Sequence, residues 1–110
     1  SDCEAYMTVR GKAWICEINN AVVAFTYVDL NENNVWALFV HPVYAEKGIG
    51  KTLHKMMLDW YFSVCRKTIW LGTEPGTRAE TFYRKQGWKE NGKHGKEIKF
   101  EMCYDDWNNR

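Results

Sequence analysis

The sequence predicts an α+β fold on a mixed, largely antiparallel sheet flanked by helices. Three observations carry this. Three strand-like segments separated by Asn-rich turns come first, over residues 12–41. A strongly amphipathic helix follows over residues 48–64. The remainder alternates strand, short helix and strand, so the order is β-β-β-α-β-α-β with room for one more strand. Consecutive β segments with tight turns form a meander, and a β-α-β crossover adds its strand in parallel.

Residues 12–18 alternate, with Ala13, Ile15 and Glu17 on one face and Trp14, Cys16 and Ile18 on the other. The Asn19-Asn20 pair tolerates positive φ and suits a tight hairpin. Residues 21–28 are rich in β-branched and aromatic side chains, as strands are. A polar turn at residues 31–34 precedes a third strand, residues 35–41, which reads as apolar on both faces and therefore central. In the long helix, Ile49, Leu53, Met56, Met57, Trp60, Tyr61 and Val64 form one stripe, with Lys51, His54, Lys55 and Asp59 off it. That spacing matches the helical period of about 3.6 residues. Residues 68–73 form another apolar strand. Thr77 and Glu80 make a capping box for a helix that Gly87 stops. Residues 88–90 read as a short extended piece, residues 91–95 as a loop and residues 96–104 as an alternating strand. Residues 1–11 carry no clear pattern, and the tail from residue 105 reads as frayed.

The 110 residues are expected to form a single domain, a size that supports one core. Fifteen basic against 14 acidic residues give a net charge of +1, which argues against general nucleic-acid binding. No apolar run is long enough for a membrane helix, and no signal peptide is visible. Cys3, Cys16, Cys65 and Cys103 lie far apart without a C-x-x-C pair, so no metal site is expected. Free, partly buried thiols in a cytoplasmic protein are the expectation.

The chemistry concentrates where the third strand meets the helix. Residues 39–53 read Phe-Val-His-Pro-Val-Tyr-Ala-Glu-Lys-Gly-Ile-Gly-Lys-Thr-Leu. The first N–H groups of a helix are unpaired and carry the positive end of its dipole. Glycines let a phosphate approach them. The plainer reading is a strand-to-helix turn that needs glycine only for its geometry. Residues 45–52 also stand one residue from the phosphate loop of nucleotide hydrolases, with Ala45 in place of its first glycine. That loop would begin late, and no apolar run ending in Asp follows it.

A second segment narrows the choice: Ala79, Phe82, Tyr83, Lys85, Gly87 and Trp88. Together, the Pro42…Gly48-Ile49-Gly50 unit and this helix resemble the two signatures of the GNAT superfamily of N-acetyltransferases. The resemblance spans residues 12–104. It implies that the strand of residues 35–40 carries a bulge that splays it from a parallel strand, residues 68–73, with acetyl-CoA between them as acyl-donor cosubstrate. It implies that a backbone N–H near Phe39 or Val40 holds the thioester carbonyl. The pyrophosphate would lie on amides of Ala45, Glu46, Lys47, Gly48, Ile49, Gly50 and Lys51, with the two lysines as charge partners. It makes Tyr83 the acid that protonates the departing thiolate. The implied activity is direct transfer of an acetyl group to a primary amine, without metal. The alternative is a CoA-binding module without turnover.

This chain departs from the family pattern at Ala45, where Arg or Gln is usual, and at Gly76, where Asn is common. Only about 11 residues precede Lys12, so the usual earlier strand and two helices are expected to be missing. Strand edges left exposed in this way would favour a homodimer. Glu17, Asp29 and Glu32 are the candidates for a general base, and His41 reads as a strand-end residue.

Overall fold

The computed structural model describes residues 2–45 and 48–109. The chain forms two compact units, 1–65 and 66–110. The first holds strands β1 (Asp2–Met7), β2 (Gly11–Ile18), β3 (Ala21–Asp29) and β4 (Asn34–Val40), a 3-10 turn Pro42–Tyr44 and helix α1 (Ile49–Val64). The four strands form an antiparallel meander in chain order. Asn19 and Asn20 take positive φ, 52° and 67°, as a tight hairpin demands.

The meander has two distinct faces. Register aligns Cys3, Cys16, Ala24 and Val40 in one row, and Ala5, Trp14, Thr26 and Leu38 in the next. This is the face that α1 covers. Trp14 meets Trp60 edge-on, and the Thr26 hydroxyl reaches the Met57 sulfur at 3.1 Å. Leu53, Met57, Leu58, Tyr61 and Phe62 are buried. Two expectations for this helix shift. His54 lies inside the buried face, and Val64 is exposed. The buried stripe also takes in Leu58 and Phe62, so it is broader than the sequence period implies.

The partner register steps from Tyr27↔Ala37 to Val28↔Val35. Trp36 is thus an extra residue in β4, a β-bulge, which puts two successive side chains on one side of the strand. β4 is apolar on both faces and central in the strand order, as expected, but one of its apolar faces is open. Val35 is buried, whereas Trp36 and Phe39 are exposed on the face away from α1.

The second unit holds β5 (Ile69–Thr73), α2 (Arg78–Lys85), β6 (Lys89–His94), β7 (Glu97–Met102) and α3 (Tyr104–Asn108). β7 lies between β5 and β6, antiparallel to both. Thr77 caps α2 by accepting the Glu80 N–H at 3.3 Å, while the Glu80 carboxylate accepts the Gly76 N–H at 2.8 Å. Gly87 ends the helix at φ 97°. Two segments are more ordered than their pattern implies. Residues 91–94 continue β6 around a register shift between Glu90 and Lys93. The tail forms α3, capped by the Cys103 sulfur and anchored by buried Trp107.

Near the start of the chain, Asp2–Met7 form a strand where no pattern was legible. Register sets Cys3 directly opposite Cys16, and the two are joined in a disulfide. This corrects the expectation of four free thiols. Cys65 and Cys103 are free.

Asp29 is a fully buried carboxylate at the end of β3. Arg10 donates to it at 2.7 Å, and the Asn31 N–H at 2.9 Å. The Arg10 hydrogen bond is the largest influence on Asp29 and holds its carboxyl below the ordinary range, against the opposing effect of burial. A depressed folded-state pKa stabilises above the unfolded value and loses that contribution as pH falls through the folded one. The melting temperature of Arg10→Ala should therefore lie below wild type at neutral pH, and the gap should close below about pH 4. A gap of constant size across an acid titration followed by circular dichroism would show that Asp29 is not the group responsible.

Candidate functional site

The site is built around the exit from β4. The strand ends at Val40, and the His41 N–H donates to the Val23 carbonyl at 2.7 Å. His41 caps the 3-10 turn, its Nδ1 accepting the Val43 N–H at 3.2 Å. His41 thus serves as a strand-end residue, as expected. The Ala45 N–H is engaged by the Pro42 carbonyl at 3.3 Å. Glu46 and Lys47, both expected to contact a cofactor, lie outside the described residues.

Gly48 sits at the N-cap of α1 with φ 80° and ψ 0°, and no side chain caps the helix. An added Cβ at Gly48 would meet nothing within 4 Å. Glycine is needed there for its left-handed backbone, and the space beside it is open. Gly50 differs. It is buried, and an added Cβ would lie 3.2 Å from Val40 Cγ2. Its missing side chain lets the first turn of α1 settle on the end of β4. The first turn contains no acidic residue, and Lys51 is exposed within it. Unpaired N–H groups, an aligned dipole, a lysine and open space fit a phosphate group.

Phe39, Val40, Gly48, Ile49, Gly50 and Lys51 are thus gathered in the first unit, at one strand–helix junction. Tyr83 belongs to the second unit, on the buried side of α2. Its ring stacks edge-on against Phe82 and Trp88, with centroids 5.6 and 5.8 Å away. Phe100 lies tilted beside it at 6.2 Å. Burial pushes the phenol above its ordinary value, so it stays protonated at neutral pH. Among the described residues, no partner takes the hydroxyl's hydrogen bond.

Of the candidate bases, Asp29 is committed to Arg10 and the turn after β3. Glu17 is exposed on the outer face of β2, and Glu32 is exposed in the turn before β4. The resemblance implied a bulge in the strand ending at Val40, but sequence reasoning missed its position at Trp36 and the aromatic outer face it helps create. The adjoining exposed Phe25 and Phe39 were the available signal, but a strand apolar throughout gives no phase from which to read a bulge.

Comparison with known proteins agrees with this geometry. The family model of the acetyltransferase (GNAT) family matches residues 2–88. The chain belongs to that family. No curated protein matches it. Among solved structures, it is similar to PaiA N-acetyltransferase from Thermoplasma acidophilum in complex with coenzyme A, at 21% identity and TM-score 0.74. That match covers 84% of this chain and 60% of the other. A GNAT-family acetyltransferase from Staphylococcus aureus Mu50 matches at 22% identity and TM-score 0.74, over 84% of this chain and 67% of its own. An acetyltransferase from Bacillus anthracis in complex with acetyl coenzyme A matches at 19% identity and TM-score 0.73, over 88% and 64%. These likenesses establish the α+β GNAT fold. The chain spans roughly two thirds or less of these relatives' lengths.

The two glycines at the junction should respond differently to substitution. Gly48→Ala should cost about 1 kcal/mol through backbone strain alone, and Gly48→Asn should recover part of it, because Asn tolerates this conformation. Gly50→Leu should cost more, by lifting α1 off Val40. Urea denaturation of the three variants checks the order; equal costs at both positions would contradict it.

Proposed function

We propose that this chain is an N-acetyltransferase that moves an acetyl group from acetyl-CoA to a primary amine within a ternary complex. The observation that carries the reading is the β4–α1 junction of a GNAT-family chain, where an uncapped helix start with room for phosphate is pinned to the end of a bulged strand.

On this reading, the cosubstrate supplies an activated acyl carbon, and the chain positions it. Amides of residues 46–51 receive the pyrophosphate, with Lys47 and Lys51 supplying charge. A backbone N–H at Phe39 or Val40 donates to the thioester carbonyl, and more strongly to the oxyanion that develops as the amine attacks. The pantetheine arm runs beside β4. A base or water removes one proton from the ammonium, freeing the nitrogen lone pair. The new C–N bond forms, the C–S bond breaks, and the electron pair leaves on sulfur. Tyr83 gives that thiolate its proton and regains one from solvent. The acyl carbon never becomes attached to the protein.

Calorimetry with acetyl-CoA, desulfo-CoA and ATP tests the binding half, and release of free CoA thiol across a panel of amines tests transfer. Tyr83→Phe should lower kcat at least about a hundredfold with acetyl-CoA affinity unchanged. Because burial raises the Tyr83 phenol, wild-type activity should show no loss from its ionisation up to about pH 10. Full turnover by Tyr83→Phe would remove the acid assignment. Stabilisation by acetyl-CoA with no amine accelerating thiol release would make the chain a CoA-binding module instead.

A further inference from the structure

The transfer chemistry leaves the outer face of the first unit's sheet unused. Register lays Glu4, Ile15, Phe25 and Phe39 side by side across β1, β2, β3 and β4. The adjacent row is Tyr6, Ala13, Tyr27 and Ala37, with the bulged Trp36 at its end. Phe25 and Phe39 stand 38% and 41% exposed, and Trp36 58%. Their rings join into one surface: Phe25–Phe39 centroids are 5.7 Å apart, and Tyr27–Trp36 centroids 4.7 Å. At the β1–β2 end stand two exposed carboxylates, Glu4 and Glu17. Glu4 accepts the Tyr6 hydroxyl at 2.6 Å, and both carboxylates act on that phenol to raise it.

The charges on this face are ordered. Arg10 lies at the Trp36 corner, its guanidinium 5.8 Å from the ring centroid and held by Asp29 at 2.7 Å. Lys12 faces the other way, over Trp14 and Trp60. The face therefore has one fixed cation at a corner, an aromatic floor and two carboxylates at the far end. With Arg10 neutralised by Asp29, a mobile cation is attracted to the aromatic faces and drawn to the carboxylates. Its path is the Glu4–Ile15–Phe25–Phe39 row.

The geometry at β4 sets the direction of approach. Gly50 lies against Val40, so α1 closes one side of the strand end. The Phe39 side of the strand is open to a nucleophile approaching a carbonyl held by a β4 amide. Resting on the transfer reading above, we propose that this face binds the acceptor, and that the acceptor is an elongated dicationic amine. One amine lies at Phe39, the apolar body crosses Phe25 and Ile15, and the second ammonium reaches Glu4 and Glu17. The row crosses three strand spacings, about 14 Å, which suits an extended chain rather than a compact amine.

Calorimetry on the whole chain tests this with octamethylenediamine, n-octylamine and trimethylenediamine as probes, alongside acetyl-CoA titrated alone. The long diamine should bind about tenfold more tightly than either comparator, and less tightly as salt rises. Phe25→Ala and the double variant Glu4→Gln/Glu17→Gln should each weaken it about tenfold, while acetyl-CoA binds each variant as it binds wild type. That last result also shows that the variants fold. Equal affinity for long diamine and octylamine, or for wild type and both variants, would overturn the proposal. If wild type failed to bind acetyl-CoA yet kept the diamine profile, the transfer reading would fall while the diamine site on this face stood.

Discussion

Gly50 rests so close to Val40 that an added Cβ would lie 3.2 Å from its Cγ2, and the architecture of the site follows from that approach. The contact brings the first turn of α1 to the point where β4 ends. The left-handed Gly48 then supplies the change of direction that the incoming chain needs. Two glycines two residues apart thus do different work. One answers a backbone angle, and the other a packing distance. Without the second, the helix would start farther from the strand, and its unpaired N–H groups would be parted from the β4 backbone.

The bulge at Trp36 acts on the same strand from its other end. By inserting one residue between Val35 and Ala37, it keeps Val35 in the core while turning Trp36 and Ala37 to the same side. The strand can thus present Val40 and Leu38 to α1 and still hold two aromatic residues, Trp36 and Phe39, on the opposite face beside Tyr27 and Phe25 of β3. A regular strand of the same sequence would bury Trp36 and push Val35 outward. The bulge is therefore what allows one short strand to serve the core, the strand–helix junction and an open aromatic surface.

Legibility in the sequence followed the strength of the local physics. The two Asn hairpin residues, the Thr77–Glu80 cap and the Gly48–Gly50 junction were readable because each depends on a residue type with a narrow conformational role. The long helix was readable from its period, but the breadth of its buried face was not. His54 enters the buried face through tertiary packing, which the period does not encode. β1 escaped notice because most of its side chains are exposed and its pairing with β2 comes from register and the Cys3–Cys16 link, neither of which leaves a periodic trace. The buried Asp29 could be seen as a carboxylate but not as a committed one, since its partner Arg10 is 19 residues away in sequence.

Burial of Tyr83 bears on the proposed proton transfer in two opposing ways. It keeps the phenol protonated, so a donor is present at every physiological pH. It also makes the phenolate costly, so the proton is harder to release than from a phenol in water, whose pKa is about 10. A thiolate in free solution, with a pKa of about 8.5, would be a poor match for such a donor. A thiolate expelled into an equally apolar setting would not, because the same desolvation raises its own proton affinity. The ring packing of Phe82, Trp88 and Phe100 around Tyr83 is thus consistent with an acid that works only on a leaving group sharing its environment. Removing apolar neighbours should then weaken the transfer even where the hydroxyl itself stays in place.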